Sequence, residues 1–587
     1  MDSPSSAMDP ATLTIIQQRL DGISHRMGAV MTRTARSSIA SQAHDFSCFL
    51  TDAGGRLLSQ AEGIPIHTGG GGFAVRALID FFRGDIQPGD IFVSNDVYTA
   101  GGNHLPDWTV FGPVFAEGRL VAFTCIRSHQ MDIGGGAAGT YFPDAKEIFH
   151  EGLRIPPLKL EDSGVLRKDV LELLKTNCRR PDILAGDLGA MIGSVKRGLA
   201  WVGELIREHG WNLLRTYCEA LLDYAEQRMR QELEGIPDGV YEVTETMNND
   251  CFSDRSVRIR LRLTVQGSHL VADFTGTDPQ IPAYKNSPLP NTYSAVYAAL
   301  ATVVDPQIPH NEGMYRVIQV VAPEGTLVNP KEPAPVSFST IHPAHEIMHC
   351  CWKALAQCAP ERVCAGWGKM ANPTFSGRDR QGRVFVLFNL AGMASAGAMR
   401  GRDGIDQIGT PINMGGMIIP NLECLEHVYP VRFLRHELLR DSCGAGEYRG
   451  GTGVDYQVRL LVPGPLCLRG EGQKTPSGYG IAGGKAGKEA RVTFRPDGQP
   501  ERDLPAYGVV EVGPGTLRVQ SSGSGGWGDP HRRKPDAVLQ DVRSGILSRE
   551  KAREDYGVEI HEQAGEVDEV ATRTLRSGRS GSPGPER

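Results

Sequence analysis

The sequence predicts an α+β protein of several units, in which helices and sheets are mixed, the N-terminal part carries a metal site and the C-terminal half is rich in strands. Three observations predict this architecture. At 587 residues the chain is too long for one hydrophobic core. Apolar residues recur at helical spacing near the N-terminus and over residues 165–235. Short apolar runs bounded by glycine turns, which are typical of strands, fill residues 380–530.

The first predicted element is a helix that begins after Asp9. Asp9 suits the N-cap and Pro10 suits the first helical position, where a missing N–H group is harmless. Apolar residues at three- and four-residue spacing follow over residues 13–31. Residues 44–50 alternate as a strand, and residues 121–126 form a continuous apolar run that indicates a buried strand.

Changes in periodicity divide the chain into six predicted segments. A Gly-Ile-Pro-Asp-Gly turn at residues 235–239 ends the first helical part, and the last residues are rich in Gly, Ser and Arg. The segments are a disordered leader (1–8), a metal-bearing α/β region (9–235), a mixed β/α middle region (236–375), a β-rich region (376–530), C-terminal helices (531–562) and a disordered tail (563–587).

Composition and charge exclude several functional classes. A net charge of −7 provides no basic stripe, so we expect no nucleic-acid binding. The N-terminus lacks the cationic and apolar regions of a signal peptide. No apolar run approaches the ~20 residues that a membrane span needs. We therefore expect a cytoplasmic protein with no membrane partner, whose cysteines stay reduced.

Two polar stretches in the N-terminal part carry candidate metal ligands. The first holds His104 and Asp107, and Pro106 between them excludes a helix interior, so the pair belongs to a turn or an extended segment. The second follows the predicted strand at residues 121–126 and supplies His129. Imidazole and carboxylate ligands from a strand end and a nearby loop are typical of a catalytic metal site with one open position.

The alternative interpretation is that these side chains only bond to turn backbone, as single histidines and aspartates often do. Spacing alone leaves both interpretations open, although burying several polar groups beside apolar strands is costly unless they share a partner. Glycine runs at residues 69–72 and 134–136 indicate close approach of the backbone to a ligand or to another chain.

Two further motifs match known signatures only weakly. His345-Glu346-Ile347-Met348-His349 fits the H-E-x-x-H pattern of zinc proteases, but no third histidine follows at the expected spacing. Residues 523–528 fit G-x-G-x-x-G, but no βαβ unit surrounds them. A zinc hydrolase of the H-E-x-x-H type is therefore a minor alternative, and we predict no ATP-binding loop in this chain.

Several stretches, taken in order, resemble a single family. The markers are Gly63-Ile64-Pro65-Ile66-His67, Asn95-Asp96, Gly101-Gly102-Asn103-His104-Leu105-Pro106-Asp107, residues 129–135, 151–157, 273–277, 329–330 and 449–453, and Gly525-Gly526-Trp527-Gly528-Asp529-Pro530. Over about residues 9–560 the chain resembles the hydantoinase B/oxoprolinase family, whose members partner an ATP-using hydantoinase A-type chain.

The resemblance implies a set of site residues. The implied metal ligands are Asp45, His104, Asp107 and His129, and the implied proton carriers or orienting residues are His67 and Asp132. Zinc is the favoured divalent ion, and manganese or iron also suits nitrogen and oxygen ligands. Two positions depart from the family pattern: Gln130 stands where many members carry a second histidine, and Val97 replaces a common proline.

The resemblance also implies an activity, namely ATP-dependent hydrolysis of cyclic amides such as hydantoins, 5-oxoproline and lactams within a hetero-oligomer. The partner would use ATP to phosphorylate the substrate oxygen, and the metal would polarise the activated carbon and activate water. The alternative within the family is a subunit of an ATP-dependent ketone carboxylase of the acetone or acetophenone type. An alternative from another class is a non-catalytic scaffold, which predicts no bound metal.

Overall fold

The computed structural model of the chain describes residues 8–60, 63–388, 390–414, 416–561 and 565–577. Helices and four sheets are mixed over these residues, which confirms the α+β class. The chain forms two compact units. Unit 1 comprises Met1–Ala354, Val384–Val386 and Ile412–Pro420, and unit 2 comprises Leu355–Arg383, Leu387–Pro411 and Asn421–Arg587.

The first helix of unit 1 forms as the sequence predicts. Helix α1 spans Pro10–Thr34, and the Asp9 carboxylate accepts hydrogen bonds from the backbone N–H groups of Ala11 and Thr12. The other helices of this part of unit 1 are α2 (Ser38–Ser41), α3 (Pro65–Thr68), α4 (Gly71–Phe81), α5 (Lys168–Thr176), α6 (Pro181–His209) and α7 (Trp211–Glu234).

A seven-stranded sheet forms the centre of unit 1, in the order β2-β1-β5-β4-β3-β6-β7. Its strands are β1 (Phe46–Asp52), β2 (Leu57–Gln60), β3 (Ile91–Ser94), β4 (Asp107–Ala116), β5 (Arg119–His129), β6 (Leu158–Asp162) and β7 (Val165–Leu166). Every neighbouring pair is antiparallel.

The two faces of this sheet have different roles because successive side chains on a strand point to opposite faces. On one face, Cys48, Val110 and Ile126 share a hydrophobic core with α1 and α6. The opposite face carries the polar side chains of Ser47 and Arg127, together with both terminal residues of the β4–β5 pair. Both faces are buried, which explains why the predicted strand reads as a continuous apolar run.

The remainder of unit 1 contains a second sheet and three helices. The sheet has the order β11-β10-β9-β8. The strands are β8 (Gly239–Met247), β9 (Val257–Gln266), β10 (His269–Asp273) and β11 (Ile318–Val321), and the helices are α8 (Leu289–Ala301), α9 (Glu312–Tyr315) and α10 (Ala344–Ala356). Strands β8 and β9 pair in antiparallel register, and the exposed and buried residues of β9 alternate.

Unit 2 is rich in strands and ends in helices, as the sequence predicts. Two further sheets have the orders β13-β12-β16-β19 and β14-β15-β20-β17-β18. The strands are β12 (Thr374–Arg378), β13 (Val384–Phe388), β14 (Val431–Leu438), β15 (Val454–Leu460), β16 (Gly464–Arg469), β17 (Arg491–Pro496), β18 (Arg502–Asp503), β19 (Tyr507–Val512) and β20 (Gly515–Gln520). The helices are α11 (Leu422–Val428), α12 (Pro535–Arg543), α13 (Arg549–Tyr556) and α14 (Glu569–Ser577).

Helix α14 corrects the prediction of a disordered tail over residues 563–587. The Asp568 carboxylate caps it by accepting from the N–H groups of Val570 and Ala571 at 3.1 and 2.9 Å. Arg576 then donates to the carbonyl of Tyr556 at 3.0 Å, which ties α14 to α13. The rest of the predicted tail, residues 563–564 and 578–587, and residues 1–7 of the predicted leader lie outside the described residues.

None of the helices in the described part of the chain has the length and apolar character that crossing a membrane requires.

Candidate metal centre

Neighbouring strands of the seven-stranded sheet bring the candidate ligands to one edge. Asp107 is the first residue of β4 and His129 the last residue of β5, and the two are direct partners in the antiparallel register. Phe46 at the start of β1 pairs with Ser128, so Asp45 lies at the same edge. Antiparallel pairing therefore places together residues that are distant in sequence.

A turn held by Asn95 presents His104 to this edge. The Asn95 side-chain amide donates to the carbonyl of Leu105 at 2.7 Å and accepts from the N–H of Ile155 at 2.7 Å. The chain passes so close that a side chain at Gly102 would come within 2.3 Å of the Asn95 carbonyl oxygen. Glycine is therefore required here, because the two backbone segments approach too closely for a side chain.

Three donor groups converge on one point. The Nε2 atom of His104 lies 2.8 Å from Oδ1 of Asp107, and Nδ1 of His129 lies 3.1 Å from the same oxygen. All three side chains are buried, and their ligand atoms lie within 4.8 Å of one another. Among the described residues this is the group of His, Cys, Asp and Glu side chains that could hold a metal ion.

Both imidazoles donate an N–H proton to an acceptor other than Asp107. Nδ1 of His104 donates to the carbonyl of Ser337 at 2.6 Å. Nε2 of His129 donates to Oγ1 of Thr140 at 3.0 Å, and the Thr140 hydroxyl in turn donates to the carbonyl of Gly139 at 2.7 Å. In neutral imidazoles the opposite nitrogens then carry lone pairs, and both face the Asp107 carboxylate.

Lone pairs facing a carboxylate oxygen repel it unless a cation lies between them. One proton could serve His104 or His129, but not both, whereas a single divalent cation accepts both nitrogens and the oxygen. Hydrogen bonds from the outer imidazole nitrogens to carbonyl and hydroxyl acceptors are also the arrangement that metal-binding histidines use. The residues therefore fit a divalent metal with nitrogen and oxygen ligands.

Burial sets the protonation of these groups. It lowers the pKa of His129 to about 4, so this imidazole is neutral near pH 7. Burial acts to raise the pKa of Asp107, but His104 and His67 outweigh it and hold that pKa well below its ordinary value. Asp107 is therefore ionised and His129 carries a lone pair, as metal binding requires.

The second oxygen of Asp107 lies close to two side-chain nitrogens. Oδ2 accepts from Nδ2 of Asn103 at 2.7 Å and lies 3.1 Å from Nε2 of His67. Nε2 of His67 is also 3.6 Å from Oδ1 of Asp45. The structure thus brings His67 and Asp45 together beside the three convergent donors. The role of Asp45 as a fourth ligand stays a prediction.

Asp132 lies in the loop after β5 and contacts Arg179. Its Oδ1 accepts from the backbone N–H groups of Gly134 and Arg179 at 3.1 and 2.8 Å, and Arg179 Nη1 lies 3.1 Å from its Oδ2. Oδ1 therefore bonds directly to the glycine-rich loop, and Oδ2 contacts Arg179. The predicted catalytic role of Asp132 stays a prediction. Gln130 donates to the carbonyl of Ser128 at 3.0 Å.

Sequence reasoning missed the residues that orient the ligands. Ser337 and Thr140 carry no motif of their own, and Ser337 is distant in sequence from His104. Glu151, which falls within one family marker, accepts from the N–H groups of Val336 and Ser337 at 2.9 and 2.7 Å. Burial raises the pKa of Glu151 to about 8. The family marker at residues 151–157 is the sequence signal that could have pointed to this contact between Glu151 and Ser337.

Thr140 is held in a strained conformation at the site. Its φ of 65° lies in the left-handed region, which costs a β-branched residue about 1–3 kcal/mol. The next residue, Tyr141, stacks on the His129 ring with a centroid distance of 5.6 Å. Such strain persists only where surrounding contacts impose it, and here it places the hydroxyl against His129.

Thr140→Val is expected to weaken Zn²⁺ binding by about 10–100-fold, because the isosteric side chain no longer accepts from His129 Nε2. The measurement is a competition titration of the metal-free chain against a chromophoric chelator. Thr140→Ser keeps the hydroxyl and should bind Zn²⁺ close to the wild-type affinity. Wild-type affinity in the valine variant would show that Thr140 does not orient His129.

The H-E-x-x-H motif forms a buried hydrogen-bonded cluster on α10. Nε2 of His345 and Nε2 of His349 lie 3.0 Å apart, and Glu346 is bonded to Nδ1 of His342 at 2.9 Å. All four side chains have no solvent exposure. Over the residues that the structure describes, they are not among the groups arranged to hold a metal. The arrangement therefore does not support a zinc-protease site.

Comparisons with known proteins agree with the sequence resemblance. The hydantoinase B/oxoprolinase family profile matches residues 9–530. The beta chain of the caprolactamase of Pseudomonas jessenii is 35% identical over 592 residues, covering 97% of this chain and 100% of the relative. The putative D-/L-hydantoinase B component of Pseudomonas sp. (strain NS671) is 30% identical over 596 residues, covering 97% and 98%.

Solved structures are similar over the same length. The crystal structure of the ATP-dependent caprolactamase from Pseudomonas jessenii matches with a TM-score of 0.91 at 34% identity, covering 97% of this chain and 100% of that chain. A nucleotide-free acetone carboxylase shares the fold, with a TM-score of 0.89 at 20% identity and coverage of 97% and 83%. The chain therefore belongs to the hydantoinase B/oxoprolinase family.

Proposed function

We propose that the chain is the metal-binding subunit of an ATP-dependent enzyme that opens cyclic amides. The observation that carries the proposal is the convergence of His104 Nε2 and His129 Nδ1 on Asp107 Oδ1, with the protons of both imidazoles committed elsewhere. The relatives named for caprolactam and hydantoin support a cyclic amide as the substrate class. Zinc is the favoured ion, with manganese or iron as alternatives.

When bound at this site, a divalent cation would supply the Lewis-acid chemistry needed to polarise a substrate carbonyl and to activate water. The chain orients the cation's ligands through Ser337, Thr140 and Asn103. His67 Nε2 lies 3.1 Å from Asp107 and 3.6 Å from Asp45. In this proposal His67 would hold or transfer a proton between them. Burial excludes bulk water from these groups, which strengthens each electrostatic interaction.

An amide carbon resists attack by water, so the proposal includes a partner that activates the substrate. A hydantoinase A-type chain would bind ATP and phosphorylate the amide oxygen, and the present chain would act on the product. Both the caprolactamase and the hydantoinase relatives are named as one component of a larger enzyme, which supports such a hetero-oligomer. We place the assembly in the cytoplasm, because all twelve cysteines are free thiols.

The test is co-expression of this chain with a hydantoinase A-type partner and measurement of ADP release on a panel of cyclic amides and ketones. We expect amide-dependent ADP release that needs both chains and is independent of bicarbonate. Each chain alone is the control. Turnover of a ketone only with bicarbonate would assign the carboxylase alternative instead. Full turnover by a metal-free chain would favour the scaffold alternative.

A further inference from the structure

A cleft of about 680 Å³ lies in unit 1, outside the candidate metal centre. Residues of α1, β2, α3 and α8 and of the loop before α9 line it. None of the candidate metal ligands, nor His67 or Asp132, is among the described residues that line it. The cleft is therefore a separate site, for which the metal chemistry gives no role.

Asp21 of α1 is the charged group of this cleft. Among the described lining residues, it is the one side chain of the Asp, Glu, Lys and Arg types. Oγ of Ser59 donates to its Oδ1 at 2.6 Å, which fixes the carboxylate. Burial raises the pKa of Asp21, whereas the Ser59 hydrogen bond and the charges of His25 and His310 act to lower it. A partly desolvated carboxylate is stabilised when a cation binds beside it.

The chain itself does not supply that cation. Over the described residues, no lysine or arginine forms an ion pair with Asp21. Burial lowers the pKa of His310, another lining residue, so its imidazole is neutral near pH 7. The cleft is also lined by Gln60, whose Oε1 is buried and receives no hydrogen bond within the described part of the chain. The cleft therefore offers acceptor oxygens that suit a cationic N–H donor.

The rest of the wall is largely apolar. It includes the side chains of Leu20, Leu58, Ile64, Ala298 and Ala301. Small-molecule sites typically combine such apolar walls with a few polar groups that fix the orientation of the ligand. A carboxylate beside an aliphatic wall matches a ligand that carries an ammonium group on a chain of methylenes.

We propose that this cleft binds an aliphatic primary ammonium compound, with the ammonium group on Asp21 and the carbon chain along the apolar wall. Hydrolysis of a lactam releases such a compound, because the new amine of the ring-opened amino acid is protonated at neutral pH. The ring-opened product is therefore the ligand that we assign, and this step rests on the proposed function. Pro65 and Thr68 of α3 also line the cleft, and Nε2 of His67 on the same helix lies 3.1 Å from Asp107. One short helix thus joins the product site to the metal centre.

The test is calorimetric titration of the full chain with three probes. They are 6-aminohexanoate, which is a ring-opened lactam, hexylamine, which keeps only the ammonium group, and hexanoate, which keeps only the carboxylate. We expect 6-aminohexanoate to bind and hexanoate to bind at least about tenfold more weakly, because it cannot make the charge-assisted hydrogen bond to Asp21. Asp21→Asn should weaken 6-aminohexanoate binding by a similar factor. Hexylamine that binds more than about tenfold tighter than 6-aminohexanoate would assign an amine from another source and overturn the product assignment.

Three further variants separate the cleft from general charge and from the metal centre. Asp80→Asn is the matched control, because Asp80 is an exposed carboxylate on α4 that pairs with Arg83, and its loss should leave binding unchanged. Ala301→Leu narrows the cleft and should weaken the binding of 6-aminohexanoate and hexylamine, which keeps the inference testable if Asp21→Asn does not fold. His104→Ala should retain 6-aminohexanoate binding, since the cleft is intact in that variant.

Three results would overturn the inference. They are a wild-type chain that does not bind 6-aminohexanoate, unchanged binding in the folded Asp21→Asn or Ala301→Leu chain, and loss of binding in the His104→Ala chain. A wild-type chain that binds 6-aminohexanoate through Asp21 but shows no amide-dependent ADP release with its partner would overturn the proposed function instead. The two failures are therefore distinguishable.

Discussion

His104→Ala is expected to yield a folded chain that neither binds Zn²⁺ nor supports turnover. The variant removes Nε2, which lies 2.8 Å from Asp107 Oδ1, and leaves two of the three convergent donors. It also removes the hydrogen bond to the Ser337 carbonyl. Losing one buried hydrogen bond and the imidazole ring costs about 1–3 kcal/mol. That is less than the ~5–15 kcal/mol by which native proteins are typically stable, so the fold should persist.

The measurement is elemental analysis of the purified, dialysed chain, together with thermal unfolding. His349→Ala is the matched control, because His349 is equally buried but belongs to the cluster on α10. It should keep its metal while losing comparable stability. Full metal content in the His104→Ala chain would refute the site assignment, and loss of metal only in the His349→Ala chain would transfer the site to the H-E-x-x-H motif.

The sequence could single out His104, Asp107 and His129 as candidate ligands because local rules place them in a turn and at a strand end. Pro106 excludes a helix between His104 and Asp107, and the apolar run at residues 121–126 predicts a strand near His129. Local rules could not predict that these residues lie at one edge of the sheet, because the antiparallel register between Asp107 and His129 depends on tertiary pairing.

Local sequence rules could not predict the groups that orient the candidate ligands. The carbonyl of Ser337 reaches His104 from a distant part of unit 1, and no spacing rule connects the two residues. The H-E-x-x-H motif shows the converse problem. Its spacing does place His345 and His349 on one side of α10, but Glu346 bonds to His342, a partner outside the motif. Spacing therefore predicts proximity, while tertiary contacts decide what each nitrogen and oxygen does.

The fold likewise contains elements that local patterns predict and one helix that they do not. The N-cap at Asp9 and the buried strand at residues 121–126 follow from local patterns and are confirmed. Helix α14 was missed because the Gly, Ser and Arg content of the tail suggested disorder. Its stability comes from contacts that composition does not show, such as the Arg576 hydrogen bond to Tyr556.

His67→Gln is expected to lower turnover by at least about 100-fold while leaving Zn²⁺ content unchanged. The glutamine amide can still donate to Asp107 Oδ2, so the orientation of the ligand is retained, but it cannot accept and release a proton. General acid–base catalysis contributes typically about 10²–10⁴-fold, which sets the size of the loss. The measurements are kcat of the two-chain complex and metal content of the same preparation.

Asp132→Asn separates the two predicted catalytic residues. Because both oxygens of Asp132 are bonded to the loop and to Arg179, the substitution should lower the free energy of unfolding. A structural Asp132 leaves the turnover per folded complex unchanged in the variant, whereas a catalytic Asp132 lowers it. If His67→Gln retained turnover and lost Zn²⁺ instead, His67 would act as an orienting group for Asp107, and the proton would have to be carried by another residue. Retention of both turnover and metal would remove His67 from the mechanism.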